Sequence, residues 1–233
     1  MLNKLYYFFV LILGLIIFLP IFGILTKIEF NSLHLFEFIQ SKYNLRLVYI
    51  TFIQAFLSSL ISCVLALPFA ISLFRRKKKL INRILISLCG YSFVLPSILI
   101  VYSVIGIFGA NGALNKITNL YDVFNIRTIF GLQGILIAHI LLNTPFAVRI
   151  FVQNLNSIPK KYIEVAKSMN FSFWQNYLYL EWPIIRQNFY SIFSIIFILC
   201  FLSFAIVMAL GGGPRYSTLE VAIYQSIFFE LNF

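Results

Sequence analysis

Charge is what this sequence has least of. Only 11% of its 233 residues are Asp, Glu, Lys or Arg, against 61% hydrophobic, whereas a soluble domain carries about 25% charged residues to cover its surface. That deficit excludes a water-soluble globule and makes lipid the solvent. Acidic residues are scarcest, with seven in all and Asp122 the one aspartate. No paired carboxylates are available for metal or acid–base chemistry. The cysteines, Cys63, Cys89 and Cys200, lie in separate apolar stretches without a Cys-x-x-Cys spacing, so they read as small packing residues rather than ligands or a disulfide framework. There is no Gly-x-x-x-x-Gly-Lys-Ser/Thr phosphate loop, no Gly-x-Ser-x-Gly elbow and no His-Glu-x-x-His pair. No catalytic residue and no metal site is therefore assigned. A cleaved leader is not expected either, because residues 5–25 run too long for a signal core and no small-residue cleavage site follows.

What is present is length of apolar chain. Runs able to cross about 30 Å of hydrocarbon lie near residues 5–25, 47–74, 84–109, 129–151 and 187–210, which predicts an all-α integral membrane protein of about five spans. The net charge of +11 gathers at the ends of these runs. Lys4 precedes the first, Arg75 to Lys79 with Arg83 separate the second from the third, and Arg149, Lys160, Lys161, Lys167 and Arg186 separate the fourth from the fifth. An N-in orientation places all of them on the cytoplasmic side. This pattern does not track phosphates, so nucleic acid is not an expected partner. The 75–79 cluster reads as a topology anchor with no chemistry of its own. Pro20, Pro68, Pro96, Gly106, Gly109 and Pro145 interrupt the spans and imply kinks that a packed bundle accommodates.

Residues 157–186, SIPKKYIEVAKSMNFSFWQNYLYLEWPIIR, are too polar to cross and too patterned for a plain connector. Ser157 ahead of Pro159 predicts a helix start. Tyr162, Val165 with Ala166, and Met169 then recur on one apolar face, with the lysines largely off it. Asn170 stands where the helix ends and suits a left-handed cap. Ser172 and Gln175 have capping-box spacing, so a second helix is expected to run from there to a break at Pro183. An interfacial helix on lipid headgroups explains the apolar face but not the spacing.

The segment resembles the EAA loop of bacterial importer permeases, in which Glu-Ala-Ala is followed three residues later by Gly and nine residues after that by Ile-x-Leu-Pro. The same frame here reads Glu164-Val165-Ala166, Asn170, and Leu180-Glu181-Trp182-Pro183. The departures are Val165, Leu180 and Trp182, with Asn170 in place of the turn glycine. By resemblance the fold is the MetI-like bundle of type I ATP-binding-cassette importer permeases, in the inner membrane. The loop would couple to a cytoplasmic ATP-binding-cassette subunit through Glu164, Val165, Ala166, Asn170 and Pro183. The resemblance covers residues 45–233 and favours the thiamine branch, akin to ferric-iron permeases, through GANGALN at 109–115, EWP at 181–183 and SFAIVMALGGGPRYSTLEVAIYQ at 203–225.

It implies a transport subunit rather than an enzyme, with ATP and Mg bound by the partner and a periplasmic solute-binding protein delivering thiamine or its phosphates. Permeases of that branch resemble two such halves in tandem. This chain carries one, which leaves a separate second half, a homodimer or a truncated remnant, with a further span expected soon after Glu230. Residues 1–46 would form a first span and periplasmic loop and 47–233 the transport-type domain. A ferric-iron or other small-solute importer is the alternative, and an integral-membrane lipid or prenyl transferase is the competing class. His139 and Asn143, one turn apart on the fourth span, are the candidates for a pathway or for interhelical polar contacts.

Overall fold

The computed structural model describes residues 2–27, 40–76, 80–118 and 129–229, and these residues contain helices and turns without strands. Lys77, Lys78, Lys79, Asp122 and the chain from Glu230 onward lie outside the described residues. The chain divides into two units, Met1–Leu45 and Arg46–Phe233. The first holds α1, Leu2–Lys27, whose apolar side chains between Tyr7 and Phe22 are largely exposed.

The longest described element is α2 (Lys42–Arg75), with 34 residues, all but the first four of them in the second unit. At 1.5 Å per residue it is about 51 Å long, more than the hydrocarbon thickness requires. It continues through Pro68, and its buried face is built of small residues, among them Ala55, Ser58, Ser59, Ser62, Cys63, Ala66 and Ala70. Small side chains let a neighbouring helix approach closely, which is how packing energy is gained where lipid removes the hydrophobic drive.

The apolar run 84–109 is not one helix. It forms α3 (Leu80–Tyr91) and α4 (Ser97–Phe108), 12 residues each, separated at 92–96. Pro96 has no N–H to donate and disfavours helical geometry in Leu95, so the helix stops before it and restarts at Ser97. After the Gly109–Gly112 turn comes α5 (Ala113–Thr118).

Next, α6 (Leu132–Leu155) passes uninterrupted through Pro145, followed by α7 (Lys160–Ser168) and α8 (Phe173–Asn176). A π-helical turn, Tyr177–Glu181, joins α8 to α9 (Trp182–Phe201). The last run breaks at Leu202–Ser203 before α10 (Phe204–Leu210), and after a 3-10 turn at Pro214–Tyr216 the described chain ends in α11 (Leu219–Phe228). Among the described residues three helices are long and apolar enough to cross a membrane: 42–75, 132–155 and 173–201.

Two apolar clusters result. One joins α2, α6 and α9 around Ala66, Phe151, Leu155, Ile192 and Cys200. The other joins α4, α6, α10 and α11 around Val104, Ile135, Ile206 and Val221. The cysteines are free, with Cys63 and Cys200 buried as packing residues.

Candidate docking segment and polar seam

The segment 157–186 folds as two helices about a turn at Asn170. Asn170 has φ 50°, the one positive φ among described non-glycine residues. Its N–H donates to the Lys167 carbonyl at 3.0 Å, and the Phe171 N–H donates to the Ala166 carbonyl at 3.0 Å. These are the paired bonds of a Schellman motif, which satisfy carbonyls that the end of α7 leaves free. Ser172 then opens α8 with a full capping box: the Gln175 N–H reaches Ser172 Oγ at 3.4 Å, and the Ser172 N–H reaches Gln175 Oε1 at 2.7 Å.

Two local expectations are corrected. Ser157 does not cap α7. Its hydroxyl donates back to the Asn154 carbonyl at 2.7 Å, closing the end of α6, while Pro159 stands at the start of α7 without a side-chain cap. Pro183 does not end the second helix, which continues from Phe173 to Phe201. In an uninterrupted α-ladder the missing Pro183 N–H would have bonded the Tyr179 carbonyl, and the ring would crowd it. The π turn opens the ladder there, with the Trp182 N–H bonding the Tyr177 carbonyl instead. Pro183 thus falls in the first turn of α9, where no donor is required.

The apolar face of α7 divides in two. Ala166 is 3% exposed and Ile163 packs against the core with the buried Ile158, whereas Tyr162 and Val165 are each 53% exposed and Met169 64%. Ala166 therefore seats the helix instead of presenting its side chain outward. Glu164, Val165 and Asn170 are exposed, as are Lys160, Lys161 and Lys167. Phe173, Trp174, Leu178 and Tyr179 extend the exposed apolar surface across the second helix.

Sequence reasoning missed Arg75, read as an anchor without chemistry. Its Nε donates to Glu181 Oε1 at 2.7 Å and its Nη2 to Oε2 at 2.9 Å, a bidentate pair with a carboxylate only 3% exposed. Nη2 also reaches the Phe173 carbonyl at 3.2 Å, and the guanidinium lies 3.8 Å from the centre of the Phe173 ring. One cation grips both ends of the α8–π unit. The signal was Glu181 itself, an acid inside the apolar and aromatic run YLYLEWP, which demands a partner once buried. Arg149 is exposed, and its guanidinium packs over Gly90 of α3, where a Cβ would collide.

His139 and Asn143 lie deep in the bundle. The His139 ring is 1% exposed, with Nδ1 3.1 Å from Ser58 Oγ and Nε2 2.8 Å from Ser203 Oγ, so it bridges α2 and the break between α9 and α10. Asn143 Nδ2 donates to Cys200 Sγ at 3.2 Å. Both residues border a cavity of about 400 Å³ with Phe93, Phe146, Ser203 and Phe204, and Phe93 stacks on Phe146 at 5.1 Å. The two breaks, at 92–96 and 202–203, open onto this cavity. Irregular backbone at membrane depth is tolerated where it is buried in protein or lines a cavity.

A model of the family described as binding-protein-dependent transport system inner membrane component matches residues 51–232, nearly all of the second unit. The chain belongs to that family. It is a bacterial inner-membrane bundle of that family's type, built of helices throughout its described residues. The chain is 43% identical over 190 residues to the thiamine transport system permease protein of Haemophilus influenzae, covering 82% of this chain and 35% of that one. It is 35% identical over 194 residues to the corresponding protein of Escherichia coli, covering 83% and 36%. The molybdenum transport system permease protein of Azotobacter vinelandii is 22% identical over 183 residues, covering 78% of this chain and 80% of that one. The chain thus spans about a third of the length of these thiamine-transport relatives.

Proposed function

We propose that the chain is the membrane permease subunit of an ATP-driven importer that passes thiamine or its phosphates across the inner membrane. The observation that carries the cargo is the 43% identity to a thiamine permease across 82% of this chain. The docking segment supports the coupling. An exposed apolar surface from Tyr162 to Tyr179, edged by Lys160, Lys161 and Lys167, offers a groove on a cytoplasmic ATP-binding-cassette subunit a pre-shaped ridge. ATP and Mg belong to that subunit, a periplasmic solute-binding protein delivers the cargo, and a second permease half or a second copy completes the pathway. The permease itself performs no catalysis.

Within the half described, the cavity beside His139 and Asn143 is the pathway candidate, because both helix breaks meet there. Its aromatic walls suit a ring-bearing cargo. The relative from Azotobacter vinelandii is a molybdenum transport system permease protein, so ferric iron or another small solute is the second reading.

The test is uptake of radiolabelled thiamine by vesicles holding the assembled transporter. Uptake that depends on ATP and is competed by excess thiamine but not by ferric iron or molybdate supports the reading; competition by either inorganic cargo overturns the assignment. For docking, Val165→Asp with Met169→Asp is expected to abolish recovery of the ATPase subunit in a pull-down, and undiminished recovery would sink it.

A further inference from the structure

We propose that α2 is the connecting rod between the docking segment and the opposite end of the bundle, with the Arg75–Glu181 pair as its inner joint. The proposal rests on the docking reading above and adds a route by which movement of that segment is carried away from it.

The inner joint is built for force. The guanidinium fork holds both Glu181 oxygens, the Phe173 carbonyl and the Phe173 ring at once. Phe173 and Glu181 are eight residues apart, which in a regular α-helix leaves them about 80° out of phase at 3.6 residues per turn. A π turn winds the chain less per residue. Placed between them, it brings both toward one cation. A salt bridge with an exposed carboxylate would be a weak tether; here the carboxylate is buried, so parting the pair strands a charge.

At the other end, the Leu219 N–H that opens α11 donates to Thr51 Oγ1 at 3.0 Å, and that hydroxyl donates in turn to the Leu47 carbonyl at 2.7 Å. Thr51 and Arg75 are 24 residues apart on one helix, about 36 Å of rise. Between them α2 is pinned to its neighbours through Ser58 to His139 and through Gln54 Nε2 to the Cys200 carbonyl at 2.9 Å. The mostly small buried residues along this face leave those two hydrogen bonds as the contacts that must yield when α2 moves against α6 and α9.

The competing route is α9, which is covalently continuous with the docking segment. It breaks at Leu202–Ser203, short of α10 and α11. Unlike α9, α2 runs unbroken from the joint to Thr51. The TLEVAIYQ stretch, unexplained by docking alone, thereby acquires a role. Thr218 is buried, and the following N–H is the contact that receives the displacement.

The experiment is hydrogen exchange of amides 217–225 in the assembled transporter, with its ATPase and any second permease half, before and after ATP with vanadate. In the native sequence the nucleotide is expected to change exchange of this segment by about fivefold or more, the lower end of ordinary allosteric coupling. Arg75→Glu and Glu181→Arg should each remove that change while the ATPase still co-purifies, because the exposed side chains of α7 are not part of the joint. The double exchange should restore it, which a merely stabilising contact would not predict. Should the single reversals fail to accumulate, Arg75→Lys and Glu181→Gln, which keep the size of the pair, carry the same readout.

A nucleotide response that persists in the single variants overturns the rod, as does its absence from the native transporter. The docking reading fails separately, if the doubled Asp variant of α7 retains the ATPase.

Discussion

Asn170 occupies a backbone well that costs most L residues about 1–2 kcal/mol, a cost Asn reduces by local hydrogen bonding. Its φ of 50° and its two flanking Schellman bonds explain why a sequence frame that resembles a glycine turn tolerates Asn. We expect Asn170→Val to destabilise the turn by about 1–2 kcal/mol, and Asn170→Gly to stay within about 1 kcal/mol of the native sequence. Exchange of the Phe171 amide reads both, and equal protection in the Val variant would contradict the assignment. The cap was legible because its partners sit within five residues. Arg75 was not, because its carboxylate partner lies 106 residues away and nothing local to either residue names the other. Ala166 shows a similar limit: its helical position was readable, but only the packing of α7 on the core decided that it faces inward.

At the scale of elements, the boundaries set by the turn at Asn170 and the cap at Ser172 were readable, whereas the break before Pro96 and the continuation through Pro183 were not. The capping box at Ser172 and Gln175 is present as its spacing implies. Ser172→Ala should cost about 1 kcal/mol, seen as increased exchange at the Gln175 amide with α9 unaffected; unchanged exchange would show that the box carries no load. Pro183 and Pro96 look alike as helix breakers, yet only Pro96 follows a break. The difference is the π turn ahead of Pro183, which removes the ladder contact the ring would have violated. Deleting Leu178 should return that turn to α register and leave Phe173 and Glu181 seven residues apart, within about 20° of one face, so Arg75 keeps both grips. The restored ladder then sets the Pro183 ring against the Tyr179 carbonyl, and a loss of about 3 kcal/mol in thermal unfolding is the expected outcome.

Across the whole molecule, polar contacts between helices form a seam rather than a site for chemistry. Ser58, His139 and Ser203 bring together α2, α6 and the break before α10, with Gln54 and Asn143 beside them on the Cys200 carbonyl and thiol. Such contacts within a bilayer contribute about 1–2 kcal/mol at most. His139→Leu should therefore lower stability by about that amount, measured by denaturant titration in bicelles. A far larger loss would mean that the ring also organises the cavity wall. Under the proposed function the same variant should impair uptake more than ATPase recovery, since the docking segment does not touch His139.

Composition alone determined that the solvent is lipid, and the docking frame was visible because capping and turn residues act on their immediate neighbours. The long apolar runs located the helices for the same reason. The tertiary structure decided which face of α7 stays free, where the third run divides, and that Arg75 pairs with Glu181. Those outcomes depend on contacts between residues remote in sequence. Their energies come from burying a charge, fitting small residues under a helix and adjusting a helical ladder, none of which a local spacing records.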